Sequence, residues 1–346
     1  MSDAIKLGLI GCGGQGGYLS EAAAISGRAE LVACADLNAA RAEGFAARFG
    51  YAEAYGNAAE MLDEAEIEAV IVATTHEHLQ PAAMDALRAG KHALVEKPMA
   101  LNAADGRALV AEARERDLRL MCGYTLRFLP ERLEMRRLLE AGAVGDVTHV
   151  TAGQLIGGLS GWLGDRHRGG GPLYYVGTHA LDFLLWMAGA PVESVFAQIN
   201  WTDDRSVETD ASIAIRFEGG ALGQLLTSQR VGGRYGWCDV IGSAGRLRAE
   251  WESDEIFVES RAVPQYAHPT TVAVPQTAHL PEFSDDTPAR LSGIKYVRTW
   301  AAEFTEFANA IREGRDPSVS GEDAVRVLDV LDAAFQSDRD GTPVGV

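Results

Sequence analysis

Leu7-Gly8-Leu9-Ile10-Gly11-Cys12-Gly13-Gly14-Gln15-Gly16 decides the fold: a short apolar run is followed at once by glycines in the spacing G-x-G-x-x-G. A buried parallel strand reads as a continuous apolar run, and this one leads directly into a helical segment. Outward from it, apolar runs at Ile5–Ile10, Leu31–Ala35, Ala69–Ala73, His92–Val95 and Leu118–Cys122 alternate with helical patterns at Ala39–Phe49, Gln80–Ala89 and Ala103–Arg116. Strands alternating with helices of this length imply right-handed βαβ units on a parallel sheet covered on both faces. The expectation is a doubly wound α/β domain over residues 1–124.

The pattern changes after residue 125. A helix over Phe128–Ala141 precedes a strand over Asp146–Gln154, a glycine-rich loop from Gly157 to Gly171 and a helix over Thr178–Met187. Strand-like runs follow at Val192–Asn200, Ala211–Phe217, Ala221–Ser228, Cys238–Ile241, Arg246–Trp251 and Ile256–Glu259, joined by tight turns. Consecutive strands with short connections predict a large, mostly antiparallel sheet in an α+β domain over 125–346. Residues 262–294 are proline-rich and irregular. Two helices close the chain, one presenting Val297, Trp300, Ala301, Phe304, Ala308 and Ile311 on one face, the other Ala324, Val327, Leu328, Leu331, Ala334 and Phe335. Ser320 and Asp323 have the spacing of a capping box.

Composition excludes several classes of function. The 346 residues are 47% apolar and 23% charged, a globular balance with material for two domains. A net charge of −18 argues against a nucleic-acid or anionic-membrane surface, both of which require a basic footprint. No apolar run is long enough for a membrane span, and the N-terminus shows no secretory signal. The cysteines Cys12, Cys34, Cys122 and Cys238 are scattered and read as free thiols in a reducing cytoplasm, so the sequon Asn200-Trp201-Thr202 has no consequence. His76-Glu77-His78 lacks metal-ligand spacing, and no metal is expected.

The glycine loop has a chemical reason. Gly11, Gly13 and Gly16 serve a tight turn, close backbone approach to a pyrophosphate and close helix–strand packing, and Gly14 and Gln15 lie at the helix start. The helix N-terminus offers free N–H groups and partial positive charge to phosphates. Asp36 stands at the end of the second strand, where a carboxylate accepts hydrogen bonds from the adenine ribose hydroxyls and repels a 2′-phosphate. Leu37 and Asn38 supply no cation and Arg41 is the one nearby candidate, so NAD is favoured over NADP.

Glu96-Lys97-Pro98 follows the strand run His92–Val95. Ligands in open α/β sheets sit beyond the carboxyl ends of strands, which places Lys97 toward the cofactor crevice. A partly desolvated lysine beside a nicotinamide cation is expected to have a lowered pKa, useful for polarising an alcohol or carbonyl and passing a proton. A surface lysine before a proline turn is the alternative. The second constellation runs from Gly169-Gly170-Gly171 through Tyr175 and His179 to Asp182. The triple glycine allows close backbone approach to a ligand, and Tyr175 and His179 share a face if the segment is helical. His179 has the pKa for general-base work, or is a hydrogen-bonded core histidine. Trp162, Arg166, His167 and Arg168, before the glycines, either cover the nicotinamide or bind an acidic substrate group, or form a solvated loop. Gly232-Gly233-Arg234-Tyr235 is a further loop of the same kind.

Together the Gly11–Gly16 loop, Glu96-Lys97-Pro98, Tyr124–Phe128, Gly169–Asp182 and the C-terminal stretch from Glu306 to Val344 resemble the glucose–fructose oxidoreductase/inositol dehydrogenase (Gfo/Idh/MocA) family. The resemblance covers nearly the whole chain in order and spacing. It implies hydride exchange between NAD(P) and a secondary alcohol of a sugar, cyclitol or related polyol. It implies a homodimer or homotetramer built on the free face of the C-terminal sheet. Under it Lys97 matches the active-site lysine, His179 the catalytic histidine, Arg127 a substrate-pocket position, and Thr74 and His78 the stretch that passes the cofactor beside Glu96. One departure stands out. Many members carry aspartate four residues before the histidine, where this chain has Tyr175. Tyr175 either donates a phenolic hydrogen bond, acts as acid or base, or stacks on the substrate; Asp182 is an alternative orienter of His179. Two other outcomes stay open: transient oxidation by tightly held NAD leading to glycoside cleavage or epimerisation, and a non-catalytic NAD-binding regulator.

Overall fold

The computed structural model describes residues 4–204, 206–251, 253–281 and 294–346. Met1-Ser2-Asp3 and most of the proline-rich tract after residue 281 lie outside the described residues. The chain divides into two compact units, one of Met1–Phe128 with Leu280–Val325, the other of Leu129–His279 with Arg326–Val346.

In the first unit, strands β1 (Ile5–Ile10), β2 (Ala29–Ala35), β3 (Glu53–Tyr55), β4 (Ala69–Val72), β5 (His92–Val95) and β6 (Leu120–Cys122) form one sheet in the order β3-β2-β1-β4-β5-β6. Every neighbouring pair is parallel. Helices α1 (Gly14–Ile25), α2 (Ala39–Phe49), α3 (Ala58–Glu64), α4 (His76–Arg88) and α5 (Ala103–Glu115) make the crossovers. β4 and most of β1 are fully buried, as the unbroken apolar runs require. Strand order reverses between β1 and β4, and this switch point is where an open α/β sheet receives its ligand. Asn38, Asn57 and Asn102 each cap a following helix by accepting a backbone N–H.

In the second unit, α6 (Pro130–Glu140) leads to β7 (Val147–Leu155). A π-helical turn over Leu173–Gly177 runs directly into α7 (Thr178–Ala188). Then come β8 (Val192–Trp201), β9 (Glu208–Phe217), β10 (Leu222–Ser228), β11 (Tyr235–Gly242), β12 (Gly245–Glu250), β13 (Glu255–Ser260) and β14 (Thr270–Ala273). Two long helices, α8 (Ile294–Glu313), which lies in the first unit, and α9 (Gly321–Asp340), precede β15 (Val344–Gly345). The sheet runs β14-β13-β12-β11-β7-β10-β9-β8-β15, with β7 and β10 parallel and the other pairs antiparallel. α7 packs on β7, β10 and β11 and buries one face. On the other face Leu222, Leu226, Tyr235 and Ile241 are exposed.

α8 belongs to the first unit because its apolar stripe packs along α1, with Trp300 stacked on Tyr18 at 5.0 Å. The capping box before α9 forms reciprocally: Asp323 N–H donates to Ser320 Oγ, and Ser320 N–H donates to Asp323 Oδ2, both at 3.2 Å.

Candidate functional site

The first unit gathers its candidate residues at the carboxyl edge of the parallel sheet. Gly11 adopts φ +103° and donates its N–H to Ala35 O at 2.9 Å. A Cβ there would lie 2.5 Å from Ala73 O, and one on Gly16 would lie 2.3 Å from Gly11 O. These two glycines are demanded by the protein's own packing. A Cβ on Gly13 or Gly14 would meet nothing within 4 Å, and both residues are exposed. The helix N-terminus is therefore open where backbone must approach a phosphate, so the loop fits a dinucleotide. Asp36 turns toward it: Oδ2 accepts the Cys12 N–H at 3.1 Å, and Oδ1 accepts the Asn38 N–H at 2.9 Å. Arg41, the cation singled out near Asp36, stands 3.4 Å from both carboxylate oxygens.

Glu96 and Gln15 are brought together from distant parts of the sequence, Gln15 Nε2 donating to Glu96 Oε1 at 2.7 Å. The Lys97 N–H donates to Glu96 Oε2 at 3.1 Å. Burial pushes the Glu96 carboxyl up, against the pull of Lys97 and the Gln15 hydrogen bond. Lys97 itself is half-buried. Behind Glu96 lies a carboxyl that sequence patterning did not single out. Glu303 on α8 is fully buried, accepts the Thr125 hydroxyl at 3.0 Å, and is held well above the usual carboxylate range by burial and by Glu96. Thr74 is half-buried after β4 and donates to Thr75 O, while His78 is exposed on the first turn of α4. His76 is buried, so the two histidines of His76-Glu77-His78 lie in different surroundings. Among the described residues no three His, Cys, Asp or Glu side chains form a metal-binding group. Arg127 is buried and its Nη1 donates to Asp323 Oδ2 at 3.1 Å and to Ser318 O at 3.3 Å, bracing the turn after β6 to the start of α9.

In the second unit Tyr175 and His179 are both half-buried, Tyr175 in the π-turn and His179 in the first turn of α7. The wider turn is a distortion that recurs at functional sites. Each glycine of the triple has its own internal reason. A Cβ on Gly169 would meet Trp162 O at 2.4 Å, one on Gly170 the Tyr174 side chain at 2.7 Å, and one on Gly171 the Glu208 carboxyl at 2.6 Å. Gly170 and Gly171 also hold φ of +76° and +75°. The close approach expected toward a ligand is thus, at these three residues, an approach of the chain to itself. Trp162 is half-buried. Arg166 lies over the Phe335 ring at 3.9 Å and the Trp201 ring at 5.2 Å, with Nη1 4.0 Å from Glu208 Oε2. Asp182 is buried in α7.

Residues 5–124 match the family model described as "Oxidoreductase family, NAD-binding Rossmann fold", and residues 133–248 match the GFO/IDH/MocA C-terminal domain. The chain belongs to the Gfo/Idh/MocA family. Residues 5–124 are thereby that family's NAD-binding Rossmann domain. A trans-1,2-dihydrobenzene-1,2-diol dehydrogenase of Mus musculus is 33% identical over 57% of this chain and 59% of its own length. This Gfo/Idh/MocA chain therefore aligns with about three fifths of that relative. A myo-inositol 2-dehydrogenase of Thermotoga maritima is 25% identical over 94% of this chain and 93% of its own length. A levoglucosan dehydrogenase solved with NADH and levoglucosan has a TM-score of 0.90 at 24% identity, covering 99% of both chains, which shows a shared fold. Among the described residues no helix is long and apolar enough to cross a membrane.

Proposed function

We propose that this protein is an NAD-dependent dehydrogenase that moves a hydride between the nicotinamide and a secondary alcohol or ketone of a sugar, cyclitol or related polyol. The observation that carries the reading is the open helix N-terminus at Gly13 and Gly14 with Asp36 turned toward the same loop, in a chain of this family. Gly11, Gly13, Gly14, Gln15 and Gly16 would hold the pyrophosphate end, Asp36 the adenine ribose, and Thr74, His78, Glu96 and Lys97 the remainder. NAD, when bound, supplies the hydride acceptor. In the oxidative direction His179 takes the hydroxyl proton, Lys97 stabilises the developing alkoxide, and Tyr175 donates a hydrogen bond in place of the aspartate common in the family. Such acid–base help contributes about 10²–10⁴-fold in rate. Trp162 bounds the substrate. Arg127 and Arg166 hold the surrounding loops, since the one is braced to Asp323 and the other lies on Phe335 and Trp201.

The substrate class rests on relatives whose names specify a cyclic diol and a cyclitol. The apolar side chains exposed on β10 and β11 support self-association through the free face of the sheet, and the four free cysteines support a reducing, cytoplasmic setting. The test is a panel of cyclitols, cyclic vicinal diols and anhydro-sugars offered with NAD and with NADP, read as NADH or NADPH absorbance. Turnover of one panel member with NAD supports the reading. NADH binding without turnover of any member, in either direction, overturns it in favour of a nucleotide-binding regulator.

A further inference from the structure

Glu208 opens β9 as a fully buried carboxyl with a particular set of neighbours. Its Oε1 accepts the Leu173 N–H at 2.8 Å, at the first residue of the π-turn. Its carboxyl carbon and both oxygens fill the volume that a side chain on Gly171 would take, with distances of 2.6–2.8 Å to an added Cβ. Arg166 reaches toward Oε2 from the loop, its guanidinium seated on Phe335 and Trp201, and Tyr174 stacks on the same Phe335 ring at 6.0 Å. The Glu208 carbonyl accepts from Gln229 Nε2 at 2.7 Å, and Gln229 Oε1 accepts the Leu159 N–H at 2.9 Å. One corner of the sheet therefore ties down both ends of the glycine-rich loop: Leu159 at its start and Leu173 at its end.

We propose that Glu208 is a positioning residue which, seated against Gly171 and bonded to the Leu173 N–H, fixes the π-turn that carries Tyr175 into α7 and His179. A carboxyl taken out of water is costly unless it is hydrogen-bonded, so a cheaper apolar side chain at this corner would serve if packing were its only task. What an apolar side chain lacks is an acceptor for Leu173. That N–H belongs to the free first turn of a helical segment, where an oxygen from outside is the means of satisfying it. The φ of +75° at Gly171 brings the chain close enough for the carboxyl to reach that N–H, and the carboxyl in turn excludes any Cβ at Gly171. The two residues specify each other: an acid on β9 and a glycine in the loop. The proposal rests on the reading that Tyr175 and His179 act on substrate. The clamp itself is testable without that reading.

The experiment compares Glu208→Ala, Glu208→Asp and Glu208→Gln in the full chain. Three readouts are taken: kcat on the best member of the polyol panel, NADH affinity, and amide hydrogen exchange of the peptides spanning residues 169–179. Glu208→Gln keeps an acceptor of the same reach. Glu208→Ala removes it, and Glu208→Asp withdraws it from Leu173. The alanine and aspartate variants are expected to lose kcat by about tenfold or more with unchanged NADH affinity, as leaving the buried Leu173 N–H without its acceptor implies. Exchange at the turn should rise about tenfold in the same two variants while the glutamine variant stays near wild type in both readouts. Should the alanine variant not fold, the aspartate–glutamine contrast decides. If kcat and exchange in the aspartate and glutamine variants are alike, or follow thermal stability alone, Glu208 is a packing residue and the proposal fails. If the wild type turns over no panel member, the dehydrogenase reading falls, and the exchange contrast still decides whether Glu208 clamps the turn.

Discussion

Gly13→Ala separates what the glycine loop does for the protein from what it does for a ligand. Gly13 precedes α1 with φ −88° and ψ −169°, an extended conformation open to any residue, and an added Cβ meets nothing within 4 Å. Losing glycine at this helix cap costs some tenths of a kcal/mol to about 1, and stiffening the unfolded chain returns a similar amount. The net change is within about 1 kcal/mol, a Tm shift of no more than about 2–4 °C. The open approach to the helix N-terminus is nonetheless lost. If phosphate oxygens accept backbone N–H groups there, losing one such charge-assisted bond costs about 1.5–3 kcal/mol, or roughly 10–150-fold in Kd. Gly16→Ala is the contrasting variant. Its Cβ would sit 2.3 Å from Gly11 O, more than 1 Å inside ordinary contact, so α1 must move off the sheet. Overpacking of that kind costs about 1–3 kcal/mol, and Tm and NADH affinity fall together. The assay is NADH fluorescence titration beside thermal melting. A Gly13→Ala protein that binds NADH as tightly as wild type refutes the assignment of this loop to the pyrophosphate.

Four further outcomes follow from the same structure. Lys97→Ala should lower turnover by about 10²–10⁴-fold with NADH still bound in titration; turnover near wild type removes the lysine from the chemistry. Asp36→Asn removes the charge opposing a 2′-phosphate while leaving Arg41 in place, so the ratio of NADP to NAD affinity should rise about tenfold or more, and an unchanged ratio counts against Asp36 as the discriminator. Burial raises the folded-state pKa of Glu303 above its unfolded value, so its contribution is fully present below the ordinary carboxylate range and is lost as pH rises toward the raised value; Glu303→Gln should leave Tm unchanged near pH 4 and raise it at pH 7–8, and a lower Tm at pH 8 contradicts this. Thr227 on β10 and its register partner Gln154 on β7 are fully buried, and the Thr227 hydroxyl has no hydrogen-bond partner among the described residues, so Thr227→Val should be neutral or stabilise by about 1 kcal/mol in a denaturant melt.

Much of the first unit was legible because its signals are local. A strand buried on both faces needs only an apolar run, and a turn at the end of β1 needs glycine at Gly11 whatever else the chain does. The misses are equally physical. β3 has three residues and α3 has seven, too short for either period to register. The α8 stripe showed a helix and its buried face but not the neighbour, since periodicity carries no information about which surface will cover it; Tyr18 and Trp300 meet across nearly the whole sequence. The parallel pairing of β7 with β10 joins strands separated by α7, β8 and β9, and no local pattern encodes an insertion of that kind.

The same distinction explains which site residues a sequence reveals. Gly13, Asp36 and Lys97 stand out because each breaks the pattern around it: glycine where a helix begins, or charge where an apolar strand ends. Glu208 and Glu303 break nothing local. Ala211, Ile213, Ile215 and Phe217 make up the buried row of β9, and strict alternation assigns Glu208 to the opposite, solvated row. Glu303 sits on a helix whose apolar face is already complete without it. Both become unusual only when another element closes over them, the glycine loop over Glu208, and Thr125 and Glu96 over Glu303. In both, burial drives the carboxyl upward, so each is a cost that the fold sustains beside a segment carrying candidate chemistry. A buried acid with no local signature, bonded to the backbone or side chain that leads into such a segment, is therefore the feature by which this structure extends the sequence. For Glu208 the consequence is specific: the acid at 208 needs glycine at 171, but removing the acid does not free 171 to take a side chain. Gly171→Ala alone should disturb the turn as severely as Glu208→Ala, and pairing it with the shorter side chain of Glu208→Ala should recover little, because φ +75° at residue 171 still requires glycine.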